Sequence, residues 1–130
     1  MAKLLQQLFD MSKKTIVIGA VPNPERYAYL ATEKLVAHGH EVVPLGTRIG
    51  NINGLDIVTD RPEISEVHTV TLYINAERQV DWYGYILALA PERVIFNPGT
   101  ENPELVQLLG LNKIKAEVAC TLVLLSTNQY

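Results

Sequence analysis

The chain holds a single cysteine, Cys120, in 130 residues. An internal disulfide is excluded, and a lone thiol suits a reducing compartment, so a cytoplasmic location is expected. No apolar run nears the roughly 18 residues needed to span a bilayer, and no membrane role is expected. Aromatic residues are few, at 7% of the chain. Positive charge is short as well: 11 Lys and Arg stand against 14 Asp and Glu, for a net charge of −3. That balance excludes a broad polyanion-binding face and with it a nucleic-acid partner; any anion site must be local. Also absent are the three spaced glycines of a dinucleotide fingerprint, a Gly-x-Ser-x-Gly elbow and a Gly-Lys-Ser/Thr phosphate loop. No nucleophile–base–acid set is present, so no residue is assigned a catalytic role. His38 and His40 flank Gly39 in an H-x-H pair without a third metal ligand.

What is present is a chain with 48% apolar and 19% charged residues, enough to build one core in one domain. Residues 1–14 read as an N-terminal extension, in which Leu4, Leu5, Leu8 and Phe9 have the spacing of one or two helical turns. Broken by Gln6 and Gln7 and lacking a small-residue cleavage site, this stretch does not read as a signal peptide. Residues 15–130 read as the domain itself.

Within it, strands and helices alternate. Thr15–Gly19 is fully apolar after two lysines, which implies burial on both faces, as in a parallel sheet. A proline-rich loop, Ala20–Arg26, leads into a helix running to about His38, with Gly39 as its stop. Glu41–Leu45 is the second strand, with Pro44 expected near its end. The Gly- and Asn-rich stretch 46–56 is read as an excursion, with a short strand over Asp56–Val58. Asp60 and Glu63 form a capping-box pattern that predicts one helical turn. His68–Ile74 is the third main strand, Asn75 the cap of a helix over Ala76–Ala90, and Arg93–Phe96 the fourth strand. Asn102 followed by Pro103 predicts another cap, with Leu105, Leu108 and Leu109 as the buried stripe. Lys115–Cys120 is the last strand, and Thr121–Leu125 either extends it or starts a final helix. The exposed aromatic set Trp82, Tyr83 and Tyr85 suits a homodimer contact.

This alternation predicts an α/β, three-layer, doubly wound and mainly parallel five-stranded sheet of Rossmann-like type. Ligands of such sheets sit beyond the carboxyl ends of the strands, where strand order reverses. The loops after the strands therefore hold the candidate site. The first of these is placed to aim helix-start amides and a helix dipole at a phosphate. After the second strand, Arg48 replaces the acid that would hold a ribose and suits a phosphate instead.

The run Gly19-Ala20-Val21-Pro22-Asn23-Pro24-Glu25-Arg26 with Tyr29 resembles the opening loop of small stand-alone CoA-binding-domain proteins. These are relatives of the CoA-binding domain of succinyl-CoA synthetase α subunits. His38–Pro44 is similar to the family's helix end and second strand, and weaker likeness runs through Tyr73–Ala76, Asn97–Glu101 and Cys120. The resemblance implies a fold that holds coenzyme A or a related adenine nucleotide. It assigns Gly19, Ala20, Val21, Pro22, Asn23 and Arg26 to the pyrophosphate, with Tyr29 close by. It assigns Arg48 to a ribose or terminal phosphate, and Ile74, Asn75 and Ala76 to the adenine or the pantetheine arm. Val21 and Ala28 stand where the family usually has serines, Leu45-Gly46-Thr47 where it often has Val-Asn-Pro, and Val118-Ala119 where it commonly has Asp-Arg. Three readings follow. One is a CoA- or nucleotide-binding module without chemistry of its own. Another is a related interaction domain that has lost the ligand. The third is a subunit of a CoA-using enzyme completed by a larger partner protein.

Overall fold

The computed structural model describes residues 12–130, together with Ala2 and Lys3. The amphipathic stretch expected over Leu4, Leu5, Leu8 and Phe9 lies outside the described residues.

Five parallel strands form one sheet in the order β2-β1-β5-β6-β7: β1 is Thr15–Ile18, β2 Val42–Leu45, β5 Thr69–Leu72, β6 Arg93–Phe96 and β7 Lys115–Val118. A separate antiparallel hairpin pairs β3 (Asn51–Ile52) with β4 (Leu55–Asp56). The fold class is as expected. Strand order reverses between β1 and β5, because the chain goes out to β2 and then crosses back past β1. In-register pairing brings Ile18, Leu45, Leu72, Phe96 and Val118 into one row at the carboxyl ends. The following loops all leave the sheet from that one rim.

Continuous apolarity has the consequence anticipated for it. β1, β5 and β6 are buried along their whole length. Ile16, Ile18, Val70, Leu72, Val94 and Phe96 point to one face, under α3 (Tyr83–Leu89) and α4 (Pro103–Leu111). Val17 and Ile95 point to the other, under α1 (Tyr27–Ala37) and α5 (Thr121–Ser126). Each fully buried Ile, Leu or Phe contributes about 1.5–3 kcal/mol relative to exposure. Pro44 fits the edge strand because its backbone faces outward: its carbonyl accepts from Val58 N–H at 2.9 Å, not from β1.

Polar pins tie the layers together. Buried Asn97, just past β6, donates to Thr71 Oγ1 (2.6 Å) and to the Leu72 carbonyl (2.8 Å), and accepts from Thr121 N–H (2.9 Å). At the opposite pole, buried Arg93 donates to Thr69 Oγ1 (2.8 Å) and the Tyr130 backbone oxygen (3.0 Å), and pairs with Glu117 (3.3 Å). Its guanidinium lies 4.3 Å over the Tyr130 ring.

Several expectations need correcting. The turn at Asp60–Glu63 does not form; this stretch is irregular. Arg61 precedes Pro62, which disfavours helical backbone, and its guanidinium instead stacks 3.8 Å over Trp82 and donates to the Asp81 carbonyl (2.6 Å). The stretch 46–56 contains a hairpin not anticipated, turning at Asn53-Gly54 with φ of 47° and 94°. The residues over Asp56–Val58 divide: Asp56 belongs to β4, and Val58 makes one parallel bridge to Leu45. The helix expected over Ala76–Ala90 is three segments: α2 (Ala76–Gln79), a 3₁₀ turn (Val80–Trp82) and α3. Trp82, Tyr83 and Tyr85 are half-buried, not exposed, and each has a partner within the chain. Trp82 carries Arg61, Tyr85 donates to the Pro62 carbonyl, and Tyr83 donates to Glu104. The expectation corrected is that of full exposure, on which the dimer contact was argued. Thr121–Leu125, left open, is helical.

Candidate functional site

Gly19 leaves β1 with a φ of +102°, a conformation that side chains resist. Space requires glycine there too. A Cβ would meet Ile74 Cγ2 at 2.9 Å and the Tyr73 backbone carbon at 3.0 Å. The close approach brings the first loop against the end of β5, at the point where strand order reverses. Gly46 does the same from the other side, where a Cβ would come 2.2 Å from the Ala20 carbonyl oxygen. Three chain segments thus converge around an open cleft of about 690 Å³. That is within the usual size of small-ligand sites, about 300–1,000 Å³.

The first loop is stiffened by Pro22 and Pro24 and by Asn23. The Asn23 side chain accepts from Glu25 N–H (3.0 Å), and its carbonyl accepts from Arg26 N–H (3.0 Å). Arg26 then occupies the N-cap of α1 in extended backbone without a side-chain cap bond. The first helical amide with an acceptor is Leu30, which donates to the Arg26 carbonyl at 3.1 Å. The amides of Tyr27, Ala28 and Tyr29 therefore have no acceptor among the described residues. An uncapped helix start carries about half a positive charge and offers its donors to an anion.

Of the residues nominated from sequence, Gly19, Ala20, Val21, Pro22, Asn23, Arg26, Arg48, Ile74 and Asn75 line this cleft, and Tyr29 and Ala76 do not. Tyr29 lies two residues beyond Tyr27, about 200° around the helix, and packs against the core. Half-buried Ala76 follows Asn75, whose side chain caps α2 by accepting from Arg78 N–H (2.9 Å). One assignment changes in kind. The Gly19 and Ala20 amides cannot cradle a phosphate, because both donate to the Leu45 carbonyl (3.0 and 2.9 Å). They join loop to strand, and the free donors lie further on, at the start of α1.

Gly46, Thr47 and the Pro98–Thr100 turn also line the cleft, from the loops after the second and fourth main strands where the switch-point rule places the site, whereas the walls that the sequence reading missed are Tyr27, Tyr73, Arg78 and Trp82. A signal for Arg78 existed, since a residue three after a capping Asn lies in the first helical turn at the same rim. The second wall is held by buried Gln79, which donates to the Ile74 carbonyl (2.9 Å) and the Thr100 carbonyl (2.7 Å), and accepts from Asn102 (2.9 Å).

The electrostatics are one-sided. Three of the chain's five arginines, Arg26, Arg48 and Arg78, line the cleft, and no acid among the described residues does. No carboxylate lies within 4.0 Å of these guanidiniums among the described residues. A chain of net negative charge thus concentrates positive charge at one mouth. Tyr73 also lines the cleft, while its side chain packs into the core under α1 and α5 with its hydroxyl buried and without a hydrogen-bond partner among the described residues. Burial is the main cause that holds its phenol well above the ordinary value; the Thr71 and Thr121 hydroxyls, which bond each other at 2.8 Å, act the other way. No Asp, Glu, His, Lys or Cys is among the described lining residues, so the arrangement supplies anion donors and no general base.

Comparison with known proteins gives a consistent picture. A family described as a CoA binding domain matches residues 13–126. None of the curated proteins compared matches the chain. A solved structure titled "Crystal structure of uncharacterized protein" is 52% identical, covers 92% of this chain and 98% of its own, and superposes with a TM-score of 0.90. A Thermus thermophilus protein described as "cell-free ID.343" is 21% identical over 100% of this chain and 99% of its own, with a TM-score of 0.79. A domain of a dinucleotide-forming acetyl-coenzyme A synthetase from Ca. Korarchaeum cryptofilum, solved with phosphate and ADP, is 14% identical. It covers 85% of this chain but 26% of the synthetase, with a TM-score of 0.62. The last two likenesses concern the fold alone.

Proposed function

The chain belongs to the CoA binding domain family, and from that premise we propose that it binds coenzyme A, or a related adenine nucleotide, in the cleft at the β1–β5 switch point. One observation carries this reading. At the start of α1, beside Arg26, the amides of Tyr27 and Ala28, which line the cleft, and of Tyr29, the next residue, have no acceptor among the described residues, and the cleft carries three arginines and no acid among those residues. A diphosphate fits that chemistry: amide donors and a guanidinium neutralise it, and the closely packed backbone at Gly19 and Gly46 leaves room beside it.

In this reading Arg48 meets the ribose or its phosphate, and Ile74 and Asn75 flank the adenine or the pantetheine arm. The group supplies its own thioester chemistry, and the chain binds and orients it. The lost serines at Val21 and Ala28 remove two hydroxyl contacts, while free amides and arginines remain. The protein acts as a binding module and has no catalytic step of its own.

A thermal-shift panel of CoA, NAD, NADP and AMP tests the reading. CoA at about 100 times its Kd stabilises by about 2.7 kcal/mol, or roughly 10 °C for a domain of this size. Arg26→Ala cancels most of that rise while leaving the unliganded melting temperature in place. Unchanged melting across the whole panel would favour a domain that has lost its ligand and serves as an interaction surface.

A further inference from the structure

Arg78 has no role in the reading above, yet it faces the same cleft from the opposite wall. The two walls belong to different layers. α1 packs on the sheet face of Val17 and Ile95, whereas the α2–α3 arm packs on the face of Ile18 and Phe96. The base of Arg78 is rigid. Its amide is held by Asn75 Oδ1 at 2.9 Å, and its neighbour Gln79 is fully buried and pinned to Ile74, Thr100 and Asn102. Its guanidinium has no carboxylate within 4.0 Å among the described residues, and neither Glu77 nor Asp81 pairs with it. Trp82 stands one helical turn further on in the same wall, with Arg61 covering its ring.

We propose that Arg78 reads a second anionic group of the ligand, separate from the diphosphate held at the start of α1. This rests on the binding reading and adds a specificity residue to it. A single guanidinium on a fixed base offers two parallel donors, which suits a phosphate monoester or a carboxylate equally. An elongated ligand lying across the switch point meets both walls. The second anion is either the phosphate on the ribose, in which case Arg48 meets the ribose itself, or an acid group at the far end of an acyl thioester.

Titration calorimetry of the wild type and Arg78→Gln separates these sources, using CoA, 3′-dephospho-CoA, acetyl-CoA, malonyl-CoA and ADP as probes. Arg78 is exposed, so the variant folds, and its melting temperature without ligand checks this. A loss of about 10–100-fold for CoA with no change for 3′-dephospho-CoA assigns the group to the ribose phosphate. A loss of that size for malonyl-CoA but not for acetyl-CoA assigns it to an acyl carboxylate. An equal loss for all five probes, ADP included, overturns the proposal, because Arg78 then only shares the diphosphate. So does no loss for any of them. Failure of the wild type to bind any probe overturns the binding reading itself, a result distinct from a wild type that binds and a variant that binds equally well.

Discussion

Replacing Gly19 by alanine tests the geometry on which the cleft depends. The substitution forces a side chain into backbone at φ +102°, which costs about 1–3 kcal/mol. It also places a methyl group 2.9 Å from Ile74 Cγ2, 3.0 Å from the Tyr73 backbone carbon and 3.1 Å from its oxygen. The Tyr73 amide is bonded to the Ile18 carbonyl at 2.9 Å, so this segment cannot step back without breaking the end of the β1–β5 pairing. Overpacking of that kind adds about 1–3 kcal/mol. The sum is about 2–6 kcal/mol, or roughly 6–24 °C in melting temperature. Two other glycines separate the contributions. Gly54 has φ +94° with nothing within 4 Å of an added Cβ, so Gly54→Ala incurs only the backbone cost, about 1–3 kcal/mol. Gly110 lies in α4 with open space around it, and Gly110→Ala raises stability by about 0.5–1 kcal/mol. Urea denaturation of the three variants measures this order. If Gly19→Ala costs no more than Gly54→Ala, the close approach to Tyr73 and Ile74 is not what holds this corner, and the reasoning fails.

At the other pole, Arg93→Gln removes the bonds to Thr69 and Tyr130 and leaves Glu117 without its partner, for a loss of about 2–4 kcal/mol of unfolding free energy by urea denaturation; a loss below about 1 kcal/mol would contradict the role given to Arg93. pH acts through His40 and His68. Burial lowers both below the ordinary 6.5, helped at His40 by Lys13, while Glu92 opposes the shift at His68. His40 Nδ1 also accepts the Lys13 N–H at 2.9 Å, which requires it unprotonated. Between the lowered values and 6.5 the unfolded chain binds more protons than the folded one, so stability is full above pH 6.5 and falls as pH drops below it. A paired His40→Gln, His68→Gln variant flattens the slope of stability between pH 6.5 and 5, and an unaltered slope would refute this assignment.

Much of the fold was legible because burial on both faces leaves unbroken apolar runs. Ile16–Ile18 and Val94–Phe96 read as strands for that reason and Thr69–Leu72 for its β-branched residues, while Asn75 and Asn102 mark helix starts through side-chain bonds that form as expected and Pro103 marks one by its place in the first turn. The hairpin at Asn53-Gly54 carries a strong turn signal, but it was obscured by the density of glycine and asparagine around it. The turn at Asp60–Glu63 failed because Pro62 and the Arg61–Trp82 stack, a contact between distant residues, outweigh a local cap pattern. In the cleft, the loops after β1 and β2 were legible from the switch-point rule. The occupied amides of Gly19 and Ala20 were not, since they depend on where the Leu45 carbonyl falls in the register of β2. The loop holding Thr100 was legible by the same rule, whereas Arg78 and Trp82 come from elements whose relative placement only the packed sheet determines.

The central claim is that free amides at the start of α1 receive a diphosphate. An amide-resolved NMR titration of the ¹⁵N-labelled protein with CoA tests it most directly. The account predicts that Tyr27, Ala28 and Tyr29 show the largest downfield amide shifts, and that ADP moves the same three. CoA binding that leaves these three amides in place, or that shifts residues outside the cleft instead, would contradict it.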